Sequence, residues 1–204
     1  MLTLDHIVIA APSLAEGVAY VRDLTGIDMP KGGEHPQMGT HNHLVRLGED
    51  EFLEVIAVNP DAPAPDRPRW FGLDHPVQSP RLAHWVTRCT DMATTRPLLP
   101  DYHGPAMHLT RGTLSWLLTV PDDGTLPMDG AAPSLLEWKA DPLPPTQMPG
   151  ADATLTALTI THPKAQQIAD TLGQHLKDPR ISFETGPLNL TTQLKVGNRN
   201  ITLS

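Results

Sequence analysis

Apolar positions along this chain fall into three rounds, each beginning with a strand and a helix and ending in further strands. Leu2–Ala10 is rich in β-branched residues and predicts a strand. Ser13 follows as a helix cap, with Glu16 three residues on as its capping-box partner and Gly26 past the end. Between them Leu14, Val18, Val21 and Leu24 recur at helical spacing. Lys31–Gly39 reads as a loop or a short strand. His41–Leu47 and Glu51–Val58 read as two strands joined by a tight Gly48-Glu49-Asp50 turn.

Asn59–Pro80 holds six prolines and cannot be a regular core element, although Asp66–Phe71 has room for a helical turn. The pattern then restarts. Leu82–Cys89 predicts a strand, Asp91 caps a helix running to about Leu98, and Met107–Arg111, Leu114–Val120 and Ser134–Lys139 predict strands. A third, shorter round follows Pro142–Gly150. It has a strand at Thr154–Thr161, a helix from Pro163 to about Leu176, and strands at Arg180–Glu184, Leu188–Val196 and Asn200–Leu203, the last two joined at Gly197-Asn198. The expected organisation is a first module over 1–58, a proline-rich connector over 59–80, a second module over 81–140, a linker over 141–150 and a third partial module over 151–204. Repetition constrains the architecture more than any single motif does.

Composition narrows the function. Hydrophobic residues make up 39% and charged residues 19%, the balance of a globular protein. A net charge of −8 argues against binding nucleic acid through phosphates, and no basic run suggests a membrane surface. The N-terminus meets an acidic residue at Asp5 without a basic leader, so a secretory signal is not expected. Cys89 is the only cysteine, which fits a reducing cytoplasm; its place in a strand reads as a buried, inert thiol.

The chemistry-bearing pattern is a histidine and a glutamate in apolar strands, occurring twice. His6 stands in Leu-Asp-His-Ile-Val-Ile and Glu54 in Phe-Leu-Glu-Val-Ile; His84 stands in Leu-Ala-His-Trp-Val and Glu137 in Leu-Leu-Glu-Trp. A carboxylate with apolar neighbours on both faces must be paired, protonated or metal-bound. Two imidazoles and two carboxylates suit one divalent metal, whether Zn, Ni, Mn, Co or Fe, and a ligand carboxylate such as Glu137 can shuttle a proton. The alternative is structural: histidines satisfied in the core and glutamates paired with arginines.

Other candidates surround this set. His41, Asn42 and His43 follow Gly39-Thr40, with His41 offered as a general base and Asn42 and His43 as substrate contacts, against a turn in which Asn42 satisfies backbone groups. Trp70 and Phe71 in the connector either cover an apolar ligand or anchor the loop; Trp116 reads as core or cleft wall. Arg46 and Arg111 are candidates for an acidic substrate, although arginines commonly lie at the surface.

Leu-Asp-His-Ile-Val-Ile, Gly39-Thr40-His41-Asn42-His43 and Phe-Leu-Glu-Val-Ile together resemble the glyoxalase-like domain of the vicinal oxygen chelate superfamily. The resemblance covers roughly residues 1–140. It implies an α+β fold in which paired βαβββ modules form a curled mixed sheet around a cleft, here with a third partial βαβ-type module. It implies metal ligands on the first and last strands of each module, carried over as His6, Glu54, His84 and Glu137. The superfamily includes isomerases, epimerases, extradiol dioxygenases, thiol transferases and metal-free binding proteins. The implied function is a metal-dependent isomerase or lyase chelating a small oxygenated substrate, with a dioxygenase or a metal-free sequestering protein as alternatives. The third module offers a lid or a homodimer surface.

Overall fold

The computed structural model describes residues 1–204. Its first run comprises β1 (Thr3–Ala10), α1 (Leu14–Thr25), β2 (Lys31–His35), β3 (Thr40–Leu47) and β4 (Glu51–Val58). The second comprises β5 (Arg81–Arg88), α2 (Met92–Thr95), β6 (Ala106–Arg111), β7 (Leu114–Thr119) and β8 (Ser134–Trp138). After α3 (Pro144–Gln147) come β9 (Ala153–Thr161), α4 (Ala165–Leu172), β10 (Ile181–Glu184), β11 (Asn189–Val196) and β12 (Arg199–Leu203). No helix is long and apolar enough to cross a membrane.

Strands β1 to β8 form one mixed sheet in the order β2-β3-β4-β1-β5-β8-β7-β6. The two runs meet at the antiparallel β1–β5 seam, and each closes with a parallel pair, β1–β4 and β5–β8. The sheet curls until its two edges approach. Arg111 on β6 packs over Gly33 on β2, where a Cβ would lie only 2.7 Å from the Arg111 Cδ. Glycine here lets the edges come together.

Each face of the curled sheet has its own core. The convex face buries Leu4, Ile7, Ile9, Leu53, Val55, Trp85 and Leu135. It is covered by α1 and by the third unit, a separate sheet of order β10-β9-β11-β12 that contributes Leu155, Leu158, Ile160, Leu190 and Leu194. Burying each such side chain contributes about 1.5–3 kcal/mol relative to exposure. Arg180, ahead of β10, clamps Glu51 at the start of β4 through both carboxylate oxygens, at 2.7 and 2.9 Å, and ties the third unit to the first. The concave face buries Val8, Ile56, Val86, Leu109, Trp116, Leu118 and Leu136 together with Trp70, Phe71 and Leu73 from the connector.

Two elements differ from the sequence expectation, and a third settles an alternative it left open. Lys31–His35 is an edge strand; Lys-Gly-Gly-Glu-His carries no apolar alternation, and the strand exists through its pairing with β3. The helix expected to run to Leu98 stops at Thr95 and tightens into a 3₁₀ turn at Arg96–Leu98, where Pro97 cannot supply an α-helical N–H. The helix expected from Pro163 to Leu176 is confined to Ala165–Leu172. At α1 the caps form as expected: Ser13 accepts from the Glu16 N–H, and Gly26 takes the left-handed conformation at φ 80°.

Candidate functional site

The concave face encloses a narrow cleft, about 40 Å³ within and about 430 Å³ when the open space at its mouth is counted. Phe52, Trp70, Phe71, Trp116 and Trp138 wall it, and His6, His35, Asn42, Glu54 and Arg111 give it polar groups. Trp70 and Phe71 are stacked, with ring centroids 5.3 Å apart. They arrive on a strained turn in which Phe71 has φ 58°, a conformation that a bulky residue adopts only under tertiary constraint.

A β-bulge sets the first part of the site. Asp5 has no partner in the β1–β5 ladder, and the register shifts between Leu4 and His6. A bulge of this kind turns consecutive side chains to one side of the strand. Asp5 and His6 therefore meet, with His6 Nδ1 2.7 Å from Asp5 Oδ1. Asp5 is fully buried, and its Oδ2 accepts from Trp138 Nε1–H at 2.9 Å. With Nδ1–H donated to Asp5, the His6 lone pair lies on Nε2, which faces Glu54 Oε2 at 3.5 Å. Phe52 stacks on the imidazole with centroids 4.3 Å apart.

Asn42 holds the other side of Glu54. Its Nδ2 donates to Glu54 Oε1 at 2.7 Å and lies 3.3 Å from His35 Nε2. Its Oδ1 accepts from the Gly33 N–H at 2.8 Å and from Arg111 at 3.3 Å. His35 Nε2 thus acts as acceptor, and Nδ1 faces Thr40 Oγ1 at 3.0 Å, which also accepts from Trp70 Nε1–H. Burial, helped by the charges of Arg111 and His41, lowers the His35 pKa to about 3, so this imidazole is neutral. A row of polar contacts therefore crosses the cleft floor from Trp138 through Asp5, His6, Glu54, Asn42, His35 and Thr40 to Trp70.

The structure divides the predicted site residues by strand parity. His6, Asn42, Glu54, Trp70 and Trp116 line the cleft. Glu137 does not. Ser134, opposite Val86 on the concave face, places Leu136 and Trp138 inward and Glu137 outward. There Glu137 accepts from the Met92 N–H at the start of α2 and pairs with Lys139. His41 and His43 lie off the cleft lining for the same reason. Thr40, Asn42 and Leu44 take the inward positions of β3, and His43 Nδ1 instead meets the Met29 carbonyl at 2.8 Å. Arg46 is occupied by the Gly48 and Met148 carbonyls.

His84 lies on the concave face but is sealed beneath Phe71, with ring centroids 5.3 Å apart. Its Nε2 accepts from the Ser134 N–H at 3.1 Å and lies 2.9 Å from Ser134 Oγ, while its Nδ1 has no hydrogen-bond partner. Burial lowers its pKa to about 3, helped by His6. The match to the first run is position by position. His6 and His84 are each the fourth residue of an eight-residue strand, Val8 faces Glu54, and the equivalent Val86 faces Ser134. Ala83, like Asp5, is skipped in the ladder. The second run thus has Ala83, His84 and Ser134 where the first has Asp5, His6 and Glu54. No three His, Cys, Asp or Glu side chains are grouped to hold a metal ion. The expected four-ligand divalent centre does not fit these residues, because a hydroxyl stands where its second carboxylate would be and Glu137 points away.

Four contributors escape the pattern of the sequence or stand low in it: Asp5, His35, Trp138 and Arg111. Asp5 adjoins His6, but its inward turn depends on the bulge. Arg111 reaches the cleft only because the sheet curls.

A family model described as a glyoxalase-like domain matches residues 4–176. No curated protein matches the chain. A hypothetical protein from Staphylococcus aureus has a similar structure, with a TM-score of 0.59 at 13% identity over 99% of this chain and 84% of that one. Methylmalonyl-CoA epimerase from Streptomyces coelicolor, in complex with 2-nitronate-propionyl-CoA, gives 0.47 at 17% identity over 69% of this chain and 100% of that one. The Mycobacterium tuberculosis methylmalonyl-CoA epimerase gives 0.45 at 16%, over 68% and 88% respectively.

Proposed function

The chain belongs to the glyoxalase-like domain family of the vicinal oxygen chelate superfamily, and we propose that it is an enzyme of isomerase or lyase type that moves a proton on a small oxygenated substrate in this cleft. The observation that carries the reading is the Asp5–His6–Glu54–Asn42 row on the floor of an aromatic-walled cavity. Glu54 has one oxygen held by the Asn42 amide and the other free to accept a proton from a carbon beside a carbonyl. His6 Nε2, oriented by the Asp5 carboxylate, stands 3.5 Å from that Glu54 oxygen and relays the proton Glu54 has taken to the neighbouring substrate oxygen. The charge left on the enolate oxygen is thereby neutralised. Trp70 and Phe71 close the cleft over the reacting atoms and reduce access of water. A metal-assisted version of the same chemistry has only His6 and Glu54 to start from.

Deuterium incorporation from solvent into small 2-oxo and 2-hydroxy carbonyl compounds, followed by proton NMR with and without chelator, tests the reading. Exchange by the wild type that falls at least 100-fold in Glu54→Gln supports it. Equal exchange by wild type and Glu54→Gln overturns it. Binding without exchange leaves the alternative of a sequestering protein. Loss of exchange with chelator assigns a metal to the His6–Glu54 pair.

A further inference from the structure

We infer that Arg111 anchors the carboxylate of an aromatic or similarly flat carboxylic acid, so the cleft takes a small aryl acid with its charged end at the mouth and its apolar body inside. This rests on the cleft being the substrate site. Arg111 is half-buried where the cleft meets an outer recess, and it lines both. It forms no ion pair, although the chain carries 23 Asp and Glu residues, and its one hydrogen bond runs from Nη1 to the neutral Asn42 Oδ1 at 3.3 Å. Four of its five N–H donors are thus left open. A guanidinium drawn partly out of water without an anion is unfavourable, and its planar fork matches a carboxylate in bidentate geometry. Burial lowers the Arg111 pKa, opposed by the charge of Glu54.

The surroundings fix the orientation. Glu54 on the cleft floor repels an anion, so the acid group must stay on the recess side of Arg111. That recess carries Lys31 and Lys139 against Asp141, with Lys139 already paired to Glu137. Inward of Arg111 the walls are Trp70, Phe71, Trp116 and Trp138, which favour a flat apolar body. Gly33 and Asn42 hold the guanidinium from below, so it is positioned before a ligand arrives.

Phenylacetate, phenylacetamide and phenyl phosphate, titrated by calorimetry and by tryptophan fluorescence, separate the possibilities. The expected result is phenylacetate binding at least tenfold tighter than phenylacetamide, with the preference lost in Arg111→Gln and partly kept in Arg111→Lys. Thermal unfolding confirms that each variant is folded. Should Arg111→Gln fail to fold, Arg111→Lys carries the test, and an unchanged acid preference there overturns the bidentate anchor. Equal binding of acid and amide to the wild type overturns the anchor while leaving the cleft as a binding site. Failure of all three probes overturns both. Arg111-dependent binding of phenyl phosphate alone overturns the carboxylate assignment.

Discussion

The first and second runs place a histidine at the same point of the same strand and surround it with opposite chemistry. In the first, His6 stands between the Asp5 and Glu54 carboxylates and borders the cleft. In the second, His84 stands between Ala83 and Ser134, fully buried under Phe71. One backbone plan thus carries a histidine flanked by two carboxylates on one side of the seam and a neutral packing residue on the other. The difference explains the unpartnered His84 Nδ1: its acceptor in the first run is the Asp5 carboxylate, and Ala83 has only a methyl group to offer. The two runs share the bulge and the register and differ in the side chains around them.

The largest expected contrast is between Glu54→Gln and Ser134→Ala. Glu54→Gln should cut proton exchange by about 100-fold or more, the scale of a lost general base. Ser134→Ala should change it less than threefold, because Ser134 serves His84 away from the reacting atoms. A comparable loss in both would mean that the two runs act together. Asp5→Ala comes next, since it gives the first run the residue of the second. It strips a partner from both His6 Nδ1–H and Trp138 Nε1–H, so unfolding in urea should show a loss of about 1–3 kcal/mol. Exchange should fall by about tenfold as His6 loses its orienting carboxylate. Unchanged activity in a folded Asp5→Ala protein would remove the carboxylate from the mechanism.

Acid titration of stability gives a smaller contrast. The folded-state pKa values of His84 and His35 are lowered to about 3 and that of His103 to about 4, each mainly by burial, against 6.5 when exposed. Above pH 6.5 all three are neutral, folded or unfolded, and their contribution to stability is complete. Below it the unfolded chain takes up protons first, so stability falls with pH down towards the folded values, by up to about 1.4 kcal/mol per pH unit for each group. Urea midpoints between pH 7 and pH 4.5 should decline, and His84→Gln should flatten the slope by about one proton. A slope identical to the wild type would show that His84 is not held neutral.

The order of elements along the chain, the capped first helix and the division into halves were legible because each has a local signal: β-branched runs, Ser13 with Glu16, and prolines between the halves; the pairing of two βαβββ runs was implied only by the family resemblance. His6 and Glu54 were legible as polar groups trapped among apolar neighbours. Which face each residue takes was not. The alternation of His41 and His43 shows that they share a face, but only the pairing of Asn42 with Ile56 and Leu44 with Glu54 turns Asn42 inward. Leu-Leu-Glu-Trp resembles Phe-Leu-Glu-Val letter by letter, yet the carboxylate's true counterpart is Ser134, which no local pattern marks. Arg111 lies at the far end of the sheet from Gly33, and no periodicity encodes the curl that joins them.

Glu137 gives the smallest expected effect and the sharpest check on that parity. Its carboxylate accepts the Met92 N–H, beside Asp91, which accepts the Ala93 N–H; together they satisfy the first donors of α2. Glu137→Gln keeps an acceptor there and gives up the charge facing Lys139 and the helix start. It should cost about 1 kcal/mol or less in unfolding free energy and leave proton exchange within twofold of the wild type. Glu54→Gln should do the reverse, since its side chain meets the cleft and supports no helix. If Glu137→Gln instead lowered exchange as far as Glu54→Gln does, β8 would have to present its glutamate inward. That in turn would require Leu136 to leave the concave core, a change that amide hydrogen exchange along β8 would expose.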